Sequence, residues 1–301
     1  MKYNGSNKPL VCMQTQSACY KGTSKMKSHG LPCKPLGVLW HSTGANNPWL
    51  KRYIQPSDNA PDRDYWLNLL GRNQYGNDWN HIEQQAGLNC WIGKLADGTV
   101  TTVQTMPWDW RPWGCGGSCN DAWVQFEICE DALTDPVYFE QAYREACELT
   151  AYICKLYNID PKGTVSFKGK NVPTILCHYD SYKLGLGSGH SDVYPWFNKH
   201  GKSMDSVRND VAVLMNSTET EDDDMDVKRF KELYNEMRKE LQDNDAGAWS
   251  AQAREWAIST GLVVGGDNLP DGSPNYMWAD NMTREQLVTV LFRFAQMLGK
   301  A

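Results

Sequence analysis

Two rhythms divide the chain. "PLGVLWHST" (Pro35–Thr43) is apolar until it ends in polar residues, which predicts a buried strand that carries His41 to its C-terminal edge. "GLNCWIGKLADGTVTTVQT" (Gly87–Thr105) predicts a hairpin that turns at Asp97-Gly98. "AWVQFEICE" (Ala122–Glu130) predicts a further strand, with Gln125, Glu127 and Cys129 on one face and Phe126 and Ile128 on the other. From Asp135 to Ile159 the period becomes helical, and Phe139, Tyr143, Ala146, Leu149 and Cys154 share an inward face. "TILCHYD" (Thr174–Asp180) then returns as a strand or strand end that reaches His178. Strands alternating with a long helix predict an α/β fold, a central mixed β-sheet flanked by helices.

The pattern changes near residue 216. "NSTETEDDDMD" (Asn216–Asp226) is acidic and poor in apolar residues, so it is expected to be a solvated linker. After it, Phe230, Leu233, Tyr234, Met237 and Leu241 recur at helical spacing. A short helix follows in "WSAQAREWAISTGLVVGG", stopped at Gly261, then a turn-rich stretch, then a helix in "MTREQLVTVLFRFAQMLG". Thr283 and Gln286 stand in capping-box positions there. The expected organisation is a domain over 1–215, a linker over 216–226 and a small all-helical module over 227–301. That module is short for an independent core, and needs a neighbour or a further copy.

Composition narrows the partners. The formal net charge of −6 argues against nucleic acid, whose binders carry a basic face. No apolar run approaches the roughly 18 residues of a membrane span, so no membrane insertion is expected. Residues 1–30 lack the apolar core of a signal peptide, so synthesis in the cytoplasm is expected. All ten cysteines lie between Cys12 and Cys177 and are expected as thiols. Cys115 and Cys119 are close enough to bridge or to share a metal, whereas Cys147 and Cys154 read as core thiols.

Candidate chemistry gathers in "CHYDSYKLGLGSGHSD" (Cys177–Asp192) and at His41. A zinc site takes about three ligands from His, Cys, Asp or Glu. His41, His178 and either His190 or Asp192 are candidates, while His29, His81 and His200 read as structural. Cys177 adjoins His178, but neighbours on an extended strand point to opposite faces and do not pair. No G-x-S-x-G elbow, phosphate loop or dinucleotide fingerprint is present. Spacing alone leaves a metal site and an ordinary polar loop both open.

Four stretches in order, "VLWHSTGANNPWLKRYIQP", "IGKLADGTVTTVQTMPWDWRPWGCGG", "VQFEICED" and "CHYDSYKLGLGSGHSDVYPWF", resemble the zinc-dependent N-acetylmuramoyl-L-alanine amidases of Gram-positive phage endolysins. These are relatives of the peptidoglycan recognition proteins, and the resemblance runs from about Leu10 to Phe197. It implies Zn2+ on His41, His178 and Asp192, with Glu127 facing the reacting water. His190 then stands where the family places a lysine that steadies the transition state. The loop from His178 to Asp192 is longer than usual, so His190 as the third ligand stays open. Asn46, Asn47, Trp110 and Trp113 are the expected substrate contacts; with Trp108, the tryptophans either wall a groove or pack beneath a loop. Gly114 replaces a histidine common in the family, and Leu88 falls near the place of a tyrosine.

Residues after 250 resemble a single S-layer-homology-like repeat, which implies binding to a secondary cell-wall polymer and, for a lone copy, either weak binding or self-association through the Asp226–Leu241 helix, a homo-oligomer through the C-terminal helices. Together these imply an endolysin that hydrolyses peptidoglycan after holin-type release. A non-catalytic peptidoglycan receptor and a host autolysin are the alternatives.

Overall fold

The computed structural model describes residues 8–23, 25–29, 31–216 and 227–300. The chain divides into two compact units, Met1–Glu219 and Thr220–Ala301. Apart from Asn216, the acidic stretch read as a linker lies outside the described residues.

The first unit begins with β1 (Leu10–Val11), the short α1 (Ala18–Lys21) and β2 (Gly37–Ser42), followed by α2 (Arg63–Leu70). The hairpin β3 (Cys90–Lys94) and β4 (Val100–Gln104) comes next, then β5 (Trp123–Ile128) and the long α3 (Pro136–Tyr157). A small hairpin, β6 (Thr164–Phe167) and β7 (Lys170–Pro173), leads to β8 (Ile175–Cys177), α4 (His178–Lys183), α5 (Tyr194–Lys199) and α6 (Met204–Asn216). Six strands form one sheet in the order β1-β4-β3-β5-β2-β8. β2 runs parallel to both β5 and β8, whereas β3 and β4 are antiparallel. This is the mixed sheet flanked by helices that the apolar runs predict.

β2 is buried along all six residues because both of its faces are covered. Val38 and Trp40 join the main core with α3, while Leu39 packs with Trp123 and Leu176 on the other side. α3 starts where Asp135 accepts hydrogen bonds from the Val137 and Tyr138 amides and Pro136 occupies the first turn. It ends at Asn158, which adopts the left-handed conformation. Its inward face includes Phe139, Tyr143, Ala146, Leu149 and Cys154, all buried.

Two details differ from the sequence reading. The strand before His178 stops at Cys177, and His178 opens a helix instead. The β6–β7 hairpin has no strong apolar alternation; it turns on Lys168 and Gly169, both with positive φ.

The second unit contains α7 (Val227–Leu241), α8 (Ala251–Ser259) and α9 (Arg284–Met297). Thr283 and Gln286 close both bonds of the capping box at the start of α9. Arg238 on α7 makes two hydrogen bonds to Asp280, at 3.0 and 2.6 Å. No described helix is long and apolar enough to cross a membrane.

Candidate metal centre

Parallel strands align their C-terminal ends, and the polar residues that finish three apolar runs meet there. His41 lies near the end of β2, in register with Glu127 on β5. His178 follows β8 directly, one strand away on the other side. Asp192 returns to this edge because its carbonyl accepts from the Tyr179 amide at 3.0 Å. The long loop between them is taken up in two ways. α4 absorbs its first part, and the glycine-rich remainder straps onto residues 115–119, with Ser188 N donating to Cys115 O at 2.7 Å and Cys119 N to Leu186 O at 3.1 Å. Gly117 permits that approach, since a Cβ there would fall 2.3 Å from Leu186 O.

His41 Nδ1 lies 3.1 Å from Asp192 Oδ2, and His178 Nδ1 lies 3.4 Å from Asp192 Oδ1. One donor atom from each of the three residues falls within 4.8 Å of the others, and this is the sole such group of three among the described residues. Zinc bonds of about 2.0–2.2 Å in tetrahedral array would set donors roughly 3.3–3.6 Å apart. The two histidine–carboxylate separations are close to that spacing, and two imidazoles with one carboxylate are a donor set that zinc takes.

Hydrogen bonds behind the rings decide which nitrogens are free. Asn120 Oδ1 accepts from the Gly114 and Cys115 amides, both at 3.2 Å, so the neighbouring Gln125 must present its NH2 to it, at 2.9 Å. Gln125 Oε1 therefore faces His41 Nε2, at 2.8 Å, and that nitrogen carries the proton. The Nδ1 lone pair is left for the metal side. A similar arrangement holds His178, whose Nε2 meets Ser188 Oγ at 3.1 Å while Ser188 donates to the Cys115 carbonyl at 3.1 Å. Gly114 seals the back of His41. A Cβ on it would sit 2.4 Å from Gln125 Oε1, 2.6 Å from Leu88 Cδ2 and 2.9 Å from His41 Nε2. The sequence marks the missing side chain at Gly114 but does not single out Asn120 or Gln125; the signal it offers is Gln125 sharing the strand face of Glu127.

Burial opposes the charge on His41, but the Asp192 hydrogen bond and the charges of Asp192 and Glu127 prevail and raise its pKa to about 9. Burial lowers that of His178, and its neighbours His41 and His190 act in the same direction, against Asp192. The two histidines hold Asp192 well below the usual carboxylate range despite its burial. Burial pushes Glu127 up to about 8, aided by Asp192 and Glu130 and opposed by His41.

The profile of the N-acetylmuramoyl-L-alanine amidase family (Amidase_2) matches residues 32–199. The chain belongs to this family. Among solved structures it is similar to a Staphylococcus aureus hydrolase, AmiA, in complex with its ligand, at 17% identity over 69% of this chain and 93% of that one, with a TM-score of 0.43. It is also similar to a mutant endolysin from Bacillus subtilis, at 13% identity over 68% and 99% of the two chains, with a TM-score of 0.42. No curated protein matches it in sequence.

In this amidase the other candidate residues fall into separate places. His190 is exposed, with its ring centroid 4.5 Å from that of His178 and its Nδ1 3.1 Å from Ser188 Oγ. Asn46 is exposed in the loop after β2, and Asn47 Oδ1 accepts from the Trp49 amide at 3.2 Å. Trp110 packs on Tyr20 and His29, with centroids 4.7 and 4.8 Å away, and Trp113 donates its Nε1 proton to the Lys27 carbonyl. Trp108 packs against the main core. Cys115 and Cys119 are buried thiols, and no third donor joins them among the described residues. A cavity of about 620 Å³ opens beside β1 and α2, lined by Thr15, Gln16, Asp62 and Trp66 among others, and holds none of the site residues.

Proposed function

We propose that this amidase is an endolysin that cuts the bond between the lactyl group of N-acetylmuramic acid and L-alanine, with Zn2+ held by His41, His178 and Asp192. The observation that carries the reading is the gathering of those three donors beside Glu127 at one sheet edge. Zinc there would supply a Lewis acid and bring the pKa of a water toward neutrality. Glu127, in register with His41 on the neighbouring strand, would as a carboxylate take a proton from the attacking water and return one to the leaving amine. Asn120, Gln125 and Ser188 keep the two imidazoles in the tautomer that offers Nδ1. His190 stands at the open side of His178, where as a cation it would steady the oxyanion. Asn46, Asn47, Trp110 and Trp113 serve as substrate contacts in this reading.

The second unit serves as a wall-binding module for a secondary polymer of the Gram-positive envelope. In support, it has a cavity of about 410 Å³ lined by Tyr276, Trp278, Asp280 and Arg293 among others. Tyr276 and Trp278 stack with ring centroids 5.3 Å apart, a surface suited to sugar rings.

Digestion of purified peptidoglycan followed by mass analysis tests the catalytic reading. Stem peptides that begin at L-alanine, with intact glycan strands, are the expected products. New reducing ends on the glycan would refute it.

A further inference from the structure

The hydroxyl behind His178 touches a second histidine. Ser188 Oγ lies 3.1 Å from His178 Nε2, 3.1 Å from His190 Nδ1 and 3.1 Å from the Cys115 carbonyl, to which it donates. A serine hydroxyl has one proton to give and two lone pairs that accept. With its proton on Cys115 O, it can only accept from the two rings. Both histidines must then donate, so His190 carries a proton on Nδ1. Its other nitrogen, Nε2, has no hydrogen-bond partner among the described residues.

The local chain is built for this contact. The Ser188 amide donates to Cys115 O at 2.7 Å and pins the backbone. The His190 amide donates to Ser188 O at 3.0 Å, a three-residue γ-turn over Gly189 that brings the ring back beside the hydroxyl. Gly116, at φ +64°, leaves the hydroxyl its place, since a Cβ there would fall 2.6 Å from Ser188 Oγ and 2.9 Å from Ser188 Cβ. The two imidazoles then stand 4.5 Å apart, centroid to centroid. His190 is exposed, so the Ser188 bond and the neighbouring ring are what keep it from sampling its other rotamers.

We infer that Ser188 is a positioning residue for His190 as well as for the metal ligand. It holds His190 in the Nδ1–H form and turns Nε2 away from the strap, so that Nε2 is the atom that meets substrate. This rests on the reading of His190 as the group that steadies the oxyanion. One serine then aligns a zinc ligand and an oxyanion donor that come from the two ends of the long loop.

The nitrogen shifts of the His190 ring, read by long-range 1H–15N correlation on the full chain, test the inference without any reaction. At a pH where the ring is neutral, the proton is expected on Nδ1. Ser188→Ala should move it toward Nε2, the form that an unconstrained histidine favours. A parent protein with the His190 proton on Nε2 overturns the inference, whether or not the variant folds. A double-mutant cycle on a soluble muropeptide gives the kinetic arm. At saturating zinc, with occupancy checked by metal analysis, Ser188→Ala should lower kcat by about 10- to 100-fold and leave KM little changed. In the His190→Ala background the same change should cost at most about threefold. Equal losses in the two backgrounds overturn the inference, because Ser188 then acts without His190. If the parent releases no stem peptide, the endolysin reading fails instead, and the nitrogen shifts still decide what Ser188 does.

Discussion

Replacing Gln125 with leucine removes the acceptor on which His41 Nε2 rests and changes little else. Leucine fills a similar volume at this fully buried position, and Asn120 Oδ1 keeps its two backbone donors. His41 is 2% exposed, so water cannot replace the lost acceptor. In the metal-free variant the ring escapes the penalty: it gives up the Nε2 proton and keeps the one on Nδ1, where Asp192 Oδ2 lies at 3.1 Å. The zinc-bound variant has no such escape, because Nδ1 is then occupied and Nε2–H must face a methyl group. An unsatisfied buried donor costs about 1–3 kcal/mol. That cost falls on the bound state, so zinc affinity should drop about 10- to 100-fold. Competition against a chromophoric chelator at fixed pH measures it, with the melting temperature of the metal-free protein as control. Affinity within twofold of the parent would refute the argument that Gln125 fixes the tautomer.

Other outcomes follow from the same structure. Glu127→Gln should keep zinc bound while peptidoglycan hydrolysis falls by about 10²–10⁴, the usual share of general acid–base catalysis; full wall-lysing activity would remove Glu127 from the mechanism. Asp192→Ala should abolish stoichiometric zinc, whereas His190→Ala should retain it, and metal analysis of the two purified variants reverses the assignment if the results are exchanged. Gly114→Ala forces a Cβ against Gln125, Leu88 and His41, and should lower stability by about 1–3 kcal/mol in a thermal melt as well as weaken metal binding. Glu145 gives a pH test away from the site. Burial raises its pKa from 4.5 to about 7, so the folded state binds its proton more tightly than the unfolded state does. Its contribution is full below pH 4.5 and is lost as pH rises through 7, a difference of about 3 kcal/mol. Glu145→Gln should therefore stabilise the protein at pH 8 and be neutral at pH 4.5 by urea denaturation.

Apolar runs made β2, the β3–β4 hairpin, β5 and α3 legible because burial on both faces, or on one helical stripe, writes a period into the sequence. β6 and β7 escaped because they form a two-stranded ribbon whose residues, Val172 apart, are exposed or half-buried and so write no apolar period. α4 escaped because it is a helix of only six residues that opens on His178, directly after the strand. At the site, His41, His178, Asp192 and Glu127 were nameable from resemblance, since each sits in a recognisable motif. The partners behind them were not. Asn120 sits in a short turn, Ser188 among glycines, and their contacts cross more than 70 residues of sequence in the case of Ser188 and Cys115. Such bonds leave no periodic trace.

Gly114, Asn120 and Gln125 also constrain how this chain can change over generations. The space that a histidine side chain would fill at position 114 is already taken by the Gln125 amide and the Leu88 methyl. Introducing that histidine first collides with both. Shortening Gln125 first strands the proton on His41. Neither single step is neutral, so the three positions are expected to be exchanged as a set in diverging lineages. A library that varies one of them at a time would sample only dead ends, while one that varies 114, 120 and 125 together would reach the alternative wiring.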